Sequence, residues 1–302
     1  MVCEELEVKM KNKPPKVKKQ HFVPRCYLKN FCIDKTNIHV LDKKELKEFK
    51  SNIINIANQS YFYDLQNDKT QLFENFFCEI ENDFNKILIP MFERLEKLNT
   101  SFYEFSEEEK DYLSTYFCLQ WVRTPHIRGI ASSFFKSILE KISKMLNLKN
   151  NKIIVHEDKT MPLHSLFILK MIERRIDEYI KNQSWFLIIN KTQRPFYTSD
   201  NPAILDSEFC QKDGRGKGFL SNGMNFYLPL SSKYCLFIVE NKLLDNCSRS
   251  NIKNNVIYTN NEEHIIYVNE LQIFNATRQI YASSNLYFNS DIEYLKNKLS
   301  KR

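Results

Sequence analysis

Two acids, Glu74 and Glu81, stand seven residues apart in a stretch whose apolar residues recur at helical spacing. On a helix that spacing sends both side chains to nearly the same side, two turns apart. Carboxylates so placed can share a divalent cation, Mg2+ or Mn2+, or divide the roles of acid and base. The competing reading is a wet charged face, since Glu79 and Asp83 lie close by. His21 offers an imidazole for proton transfer or metal ligation near neutral pH, or else a cap on a short helix after Pro24. Asp200, in Thr198-Ser199-Asp200-Asn201-Pro202, follows a β-rich run. It is either a catalytic carboxylate at a sheet edge or a turn cap.

Phosphate chemistry needs guanidinium groups or amides near these acids. Gln120, Arg123 and Arg128 surround Pro125, where a broken helix leaves backbone groups free and an arginine can grip phosphate bidentately. The alternative is a buried Arg123 paired with one of the acids. Arg25, Gln120, Arg123 and Asn201 are the expected substrate contacts. His21, Glu74, Glu81 and Asp200 are the expected catalytic groups, with Glu74, Glu81 and Asp200 also the metal ligands. A further pattern is the apolar run Leu236–Val239 ending in Glu240-Asn241-Lys242. Many metal-dependent nucleases use a Glu-x-Lys ending with an upstream aspartate, here Asp200, although any strand leaving a sheet can end this way.

Composition narrows the field. Glycine occurs only five times, which counts against Rossmann and P-loop folds, and the cluster Gly214-Arg215-Gly216-Lys217-Gly218 reads as a mobile loop. No zinc-protease, nucleophile-elbow or Walker pattern is present. The eight cysteines form no CxxC pair and read as reduced thiols. No apolar run of about 18 residues exists to span a bilayer, and the lysine-rich start is not a secretory signal. A cytoplasmic protein without a membrane partner is expected. The formal charge of +7 is concentrated at the ends, with lysines at 9, 11, 13, 16, 18 and 19. Such a patch attracts nucleic acid or is simply a solvated tail.

The elements that must position these groups follow from periodicity. Residues 1–19 are expected as a basic tail and 20–302 as a single domain. A short helix is predicted at Pro24–Phe31, with strands at Ile38–Asp42 and Tyr61–Asp64. Helices are predicted at Gln71–Leu98, from Ser106 (a capping box with Glu109) to Val122, at Ile127–Leu146 and at Leu163–Ile180. Strands follow at Trp185–Asn190, Tyr227–Leu230 and Tyr234–Glu240, then a helix at Glu263–Tyr281 and another near the C-terminus. This order predicts an α+β fold, with long helices packed around a mostly antiparallel central sheet.

The segment His21-Phe22-Val23-Pro24-Arg25-Cys26-Tyr27-Leu28-Lys29-Asn30-Phe31 resembles the opening signature of the uncharacterised family called domain of unknown function 4238. Glu74 and Glu81, Arg123-Thr124-Pro125, Trp185, Ser199-Asp200-Asn201-Pro202 and Pro229-Leu230-Ser231 resemble its later elements, so the resemblance runs from about His21 to Ala282. It brings little function with it. From the residues, the first expectation is a metal-dependent nuclease or phosphodiesterase acting on nucleic acid, by analogy a bacterial defence or toxin effector. A non-catalytic binding module with a buried polar network is the second. A small-nucleotide hydrolase with Trp185, Phe196 and Tyr197 lining its pocket is the third.

Overall fold

The computed structural model describes residues 16–64, 70–145, 164, 168, 170, 174–207, 218–245 and 254–299. The lysines at 9, 11 and 13, eight residues of the predicted Leu163–Ile180 helix and residues 214–217 lie outside them. In chain order come β1 (Lys19–His21), α1 (Arg25–Leu28), β2 (Asn37–Asp42), β3 (Lys47–Asn52) and β4 (Asn58–Ser60). Three long helices follow: α2 (Leu72–Glu96), α3 (Glu107–Val122) and α4 (Pro125–Met145). The rest is α5 (Ile176–Lys181), β5 (Ser184–Asn190), β6 (Thr198–Ser199), β7 (Ile204–Ser207), β8 (Met224–Pro229), β9 (Tyr234–Val239), α6 (Asn241–Asp245), β10 (Val256–Thr259), α7 (Glu262–Asn275), β11 (Gln279–Ala282) and α8 (Phe288–Leu299).

The fold is α+β, as its pattern predicts. A five-stranded sheet runs β10-β5-β9-β8-β7 and a four-stranded sheet β3-β2-β11-β6, while β1 and β4 form a separate pair. Every described strand pair is antiparallel except β10 with β5. Central strands β5 and β9 read as continuous apolar runs because both of their faces are covered. On one face Leu187, Leu236 and Ile238 join a core shared with Phe77, Phe84 and Leu88 of α2 and Phe117 of α3. On the other, Ile188, Tyr227 and Cys235 meet Ile265 and Val268 of α7. The far end of α7 packs Ile273 with Leu41, Ile280 and Phe288, so α7 lies between the two sheets.

Helix α2 owes its placement to Phe73, Phe77, Phe84, Leu88, Met91 and Leu95, all buried at spacings of three, four or seven residues. Ser106 and Glu109 form the predicted capping box at the start of α3. Pro125 does not merely end a helix: it occupies the first position of α4, where its missing N–H is harmless. Among the described residues no helix is long and apolar enough to cross a membrane.

Three expectations are corrected. Tyr61–Asp64 is not a strand; β4 stops at Ser60, and Tyr61 turns the chain with φ at 52°. The last long helix stops at Asn275, and 279–282 is strand β11 rather than helix. The tail does not extend to Lys19. The Val17 N–H donates to Gln71 Oε1 at 2.8 Å, Gln71 Nε2 donates back to its carbonyl at 2.9 Å, and Lys19 begins β1.

Candidate functional site

Arg123 closes α3, where a cation is favoured by the exposed carbonyls of the helix end. Its side chain is only 3% exposed. Nη2 donates to Glu81 Oε1 at 2.9 Å and to the His21 carbonyl at 2.7 Å, and Nε donates to the Tyr63 hydroxyl at 3.1 Å. Tyr63 in turn donates to the Arg123 carbonyl at 3.0 Å, and the guanidinium lies 4.1 Å above the Phe77 ring. A chain reversal, two helices and the β1 strand therefore meet on one buried cation. Of the two readings of Arg123, the ion pair with an acid of α2 is the one formed.

Glu74 stands two turns before Glu81 on the same helix and has a different fate. It is half-buried and makes no hydrogen bond or ion pair among the described residues. Burial, with Glu81 and Asp64 close by, lifts its carboxyl to about 7, against the opposing pull of Arg123 and Arg25. Arg25, on the exposed side of α1, makes no hydrogen bond or ion pair among the described residues. Asp64 is held beside this group by Gln20 Nε2 at 2.5 Å and Gln71 Nε2 at 3.0 Å. His21 is neutral at pH 7. Desolvation first, then the Arg25 charge, holds its imidazole down at about 4. The ring bonds the Ile53 backbone and faces the Asn58 amide at 3.4 Å. His21, Arg25, Glu74, Glu81 and Arg123 are thus brought together.

Gln120, Asp200 and Asn201 are not available to a substrate in the same way. Gln120 is buried and donates to the Phe22 carbonyl at 2.8 Å, beside the Arg123 network but inside it. Asp200 is 4% exposed. Its Oδ1 accepts from the Thr277 amide at 2.7 Å, and its Oδ2 from the amides of Arg278 at 2.7 Å and Gln279 at 3.0 Å. Asn201 bonds the Asn275 carbonyl at 3.2 Å and meets Thr124 at 3.4 Å, which ties the Asp-Asn-Pro box to the start of α4. His21 and Asp200 share no hydrogen-bond partner among the described residues. The box is a staple that fixes the α7–β11 connection. Asp200→Asn would aim an NH2 at a backbone N–H, so it is expected to lose about 1–3 kcal/mol of stability. Urea unfolding measures this, and a change below about 0.5 kcal/mol would show that the amides do not depend on the second oxygen.

The three carboxylates expected to share Mg2+ or Mn2+ do not form one donor set. Asp200 has both oxygens on amides, Glu81 is paired with a fixed guanidinium, and that positive charge opposes a cation at Glu74. Among the described residues no three His, Cys, Asp or Glu side chains gather as ligands. Glu240 does not join Asp200 either: it is buried at the end of β9 in the other sheet and accepts from the Gly223 amide at 2.5 Å. Trp185, Phe196 and Tyr197 are at most 5% exposed, so their rings are packed in the core rather than open to a nucleotide.

Sequence reasoning missed Tyr63, Asp64 and His164. Tyr63 and Asp64 fell in a segment taken for strand, and only the turn at Tyr61 exposes their roles. His164 gives no local signal; it is buried against Tyr63, with Nε2 2.6 Å from the Val122 carbonyl. The family described as "Protein of unknown function (DUF4238)" matches residues 19–285 of the chain. No curated protein and no solved structure matches it.

Proposed function

We propose that this chain, which belongs to the family of proteins of unknown function DUF4238, is a phosphodiester-cleaving enzyme acting on nucleic acid. Glu74 is its proton-transferring group and Arg25 its phosphate contact. The observation that carries this reading is the setting of Glu74: a half-buried carboxyl that makes no hydrogen bond or ion pair among the described residues and feels the charges of a locked cation, Arg123, and an exposed one, Arg25. A carboxyl poised near neutrality is matched to general base work at physiological pH. In the ionised form Glu74 takes a proton from an attacking water as the water oxygen bonds phosphorus and the P–O bond to the departing strand breaks. The proton then passes from Glu74 to the departing oxygen, and Arg25 holds the non-bridging phosphate oxygens through its planar fork. Arg123 and Glu81 are positioning residues; they keep the α2 face and the His21 strand in register. No step is routed through a metal, because the carboxylates do not assemble as ligands. The five described cysteines are unpaired, which supports a cytoplasmic place of action.

A second reading keeps the same network as the core of a non-catalytic binding module. Its support is that Asp200 accepts only from backbone amides, and that the side-chain amides of Gln120 and Asn201 donate to backbone carbonyls. Labelled single- and double-stranded DNA and RNA, incubated with the full chain, separate the two. The expected result is cleavage that survives EDTA and is not restored or lost with Mg2+ or Mn2+. Arg25→Ala should lower kcat/KM roughly ten- to a hundredfold, the worth of a charged hydrogen-bond contact. Cleavage of nothing under any condition hands the site to the binding-module reading. Cleavage that requires the metal removes Glu74 as a sufficient catalyst.

A further inference from the structure

Tyr61 is 42% exposed. Its φ of 52° is one that a residue with a side chain adopts at a cost, and that glycine or asparagine would take more readily. The ring makes no aromatic contact and no hydrogen bond among the described residues, so it adds nothing visible to the core. The backbone around it is firmly held. The Tyr61 N–H donates to the Lys18 carbonyl at 2.8 Å, and the Asp64 N–H donates to the Tyr61 carbonyl at 3.3 Å. That turn keeps Tyr61 and Asp64 within about 7 Å of each other at their α-carbons. Asp64 is one of the charges that act on Glu74. Asp64 also accepts from Gln71 Nε2 at 3.0 Å, and Gln71 stands three residues before Glu74 at the start of α2, so the turn that carries Tyr61 adjoins the Glu74 end of that helix, with exposed Lys18 leading into it.

We propose that Tyr61 is a stacking platform for an unpaired base and that the site's substrate is single-stranded nucleic acid. This rests on the reading of Glu74 and Arg25 given above and narrows it. A base in a duplex has both faces covered by its neighbours, whereas an unpaired base offers a π-face to an aromatic ring. A strand that lays one base on Tyr61 has the exposed Lys18, whose carbonyl accepts from the Tyr61 amide, to meet its phosphates. Stacking is tolerant of sequence, so the preference is for strandedness rather than for a particular base.

The test measures binding and cleavage separately. Fluorescence anisotropy of labelled single-stranded DNA, single-stranded RNA and the matching duplexes is recorded with full-length Glu74→Gln protein. The same is done with Tyr61→Ala and Tyr61→Phe added. Alanine keeps the β-carbon and hence the turn's backbone strain, and phenylalanine keeps the stacking face. Tyr61→Ala is expected to weaken single-strand binding about 5- to 100-fold, with Tyr61→Phe and duplex binding nearly unchanged. Equal binding by the alanine and tyrosine proteins overturns the platform, as does an equal loss on single strands and duplexes, or no single-strand binding at all. If wild type cleaves but Tyr61→Ala binds normally, the platform falls and the enzyme stands. If nothing is cleaved but Tyr61→Ala selectively loses single strands, the platform stands and Glu74 catalysis falls.

Discussion

Arg123→Ala is expected to destabilise the fold by about 3–5 kcal/mol, the range seen when one partner of a buried ion pair is removed. The loss has several parts. Glu81 would keep a charge without its counter-ion, and the His21 carbonyl and the Tyr63 hydroxyl would each lose a donor. The Phe77 ring would lose the cation above it. Glu81 is 24% exposed, so water can soften its share, but Arg123 at 3% cannot be replaced by solvent without opening the core. Arg123→Lys should recover only part of the loss, because an ammonium cannot serve three fixed acceptors and lie flat on Phe77. Adding Glu81→Gln to Arg123→Ala should give back some stability by removing the stranded charge. Chemical unfolding of wild type, Arg123→Ala, Glu81→Gln and the double variant gives the cycle, with Arg123→Lys measured beside them. A loss under about 1 kcal/mol for Arg123→Ala would mean the guanidinium is not the hub of this corner.

The parts of this corner were legible in the sequence where they rest on local pattern, and hidden where they rest on distant partners. The apolar series from Phe73 to Leu95 announced α2 and placed Glu74 and Glu81 on one side of it. Ser106 and Glu109 announced the start of α3, and the ion pair of Arg123 with one of those acids was one of the two readings left open by its place beside Pro125. By contrast, nothing near residue 276 marks a helix end; no glycine or proline stands there. The helix stops because Lys43 Nζ donates to the carbonyls of Ile273 and Ala276, and Asp200 takes the amides of 277–279. Those partners lie 233 and 77 residues away in the chain, beyond the reach of periodicity.

β3 was missed for a related reason. Lys47, Glu48 and Lys50 give it the composition of a loop, since as an edge strand it has little to bury and pairs only with β2 among the described strands. Asp200 illustrates the limit for sites. The Asp-Asn-Pro box reads as catalytic or structural with equal ease, and three backbone amides decide between them. The converse holds for Glu74, whose sequence neighbours suggest a wet face and whose folded neighbours leave it half-buried and unpaired.

Glu74→Gln is expected to lower cleavage about 10²- to 10⁴-fold, the usual worth of a positioned general base, while leaving the fold intact. The amide is the same size, but it cannot take a proton near neutral pH. In wild type the rate should rise as pH passes through about 7, where the Glu74 carboxylate forms, and the glutamine protein should lose that limb. Stability supplies an independent readout. The folded pKa, about 7, is above the ordinary 4.5, so the folded state holds the proton more tightly than the unfolded chain. The stability this contributes is fully present below pH 4.5 and is lost as pH rises through 7. His21 and His164 work in the opposite sense over much of that window. Each is depressed from 6.5 to about 4, so each weakens the fold as pH falls below 6.5. The difference between Glu74→Gln and wild type cancels the histidines and isolates the carboxyl. Melting temperatures compared at pH 5 and pH 8 should therefore favour the glutamine protein more at pH 8. A difference that does not change with pH would show that Glu74 titrates like a surface acid. With that result the pH limb of cleavage would have to belong to another group, and Glu74 would lose its catalytic role.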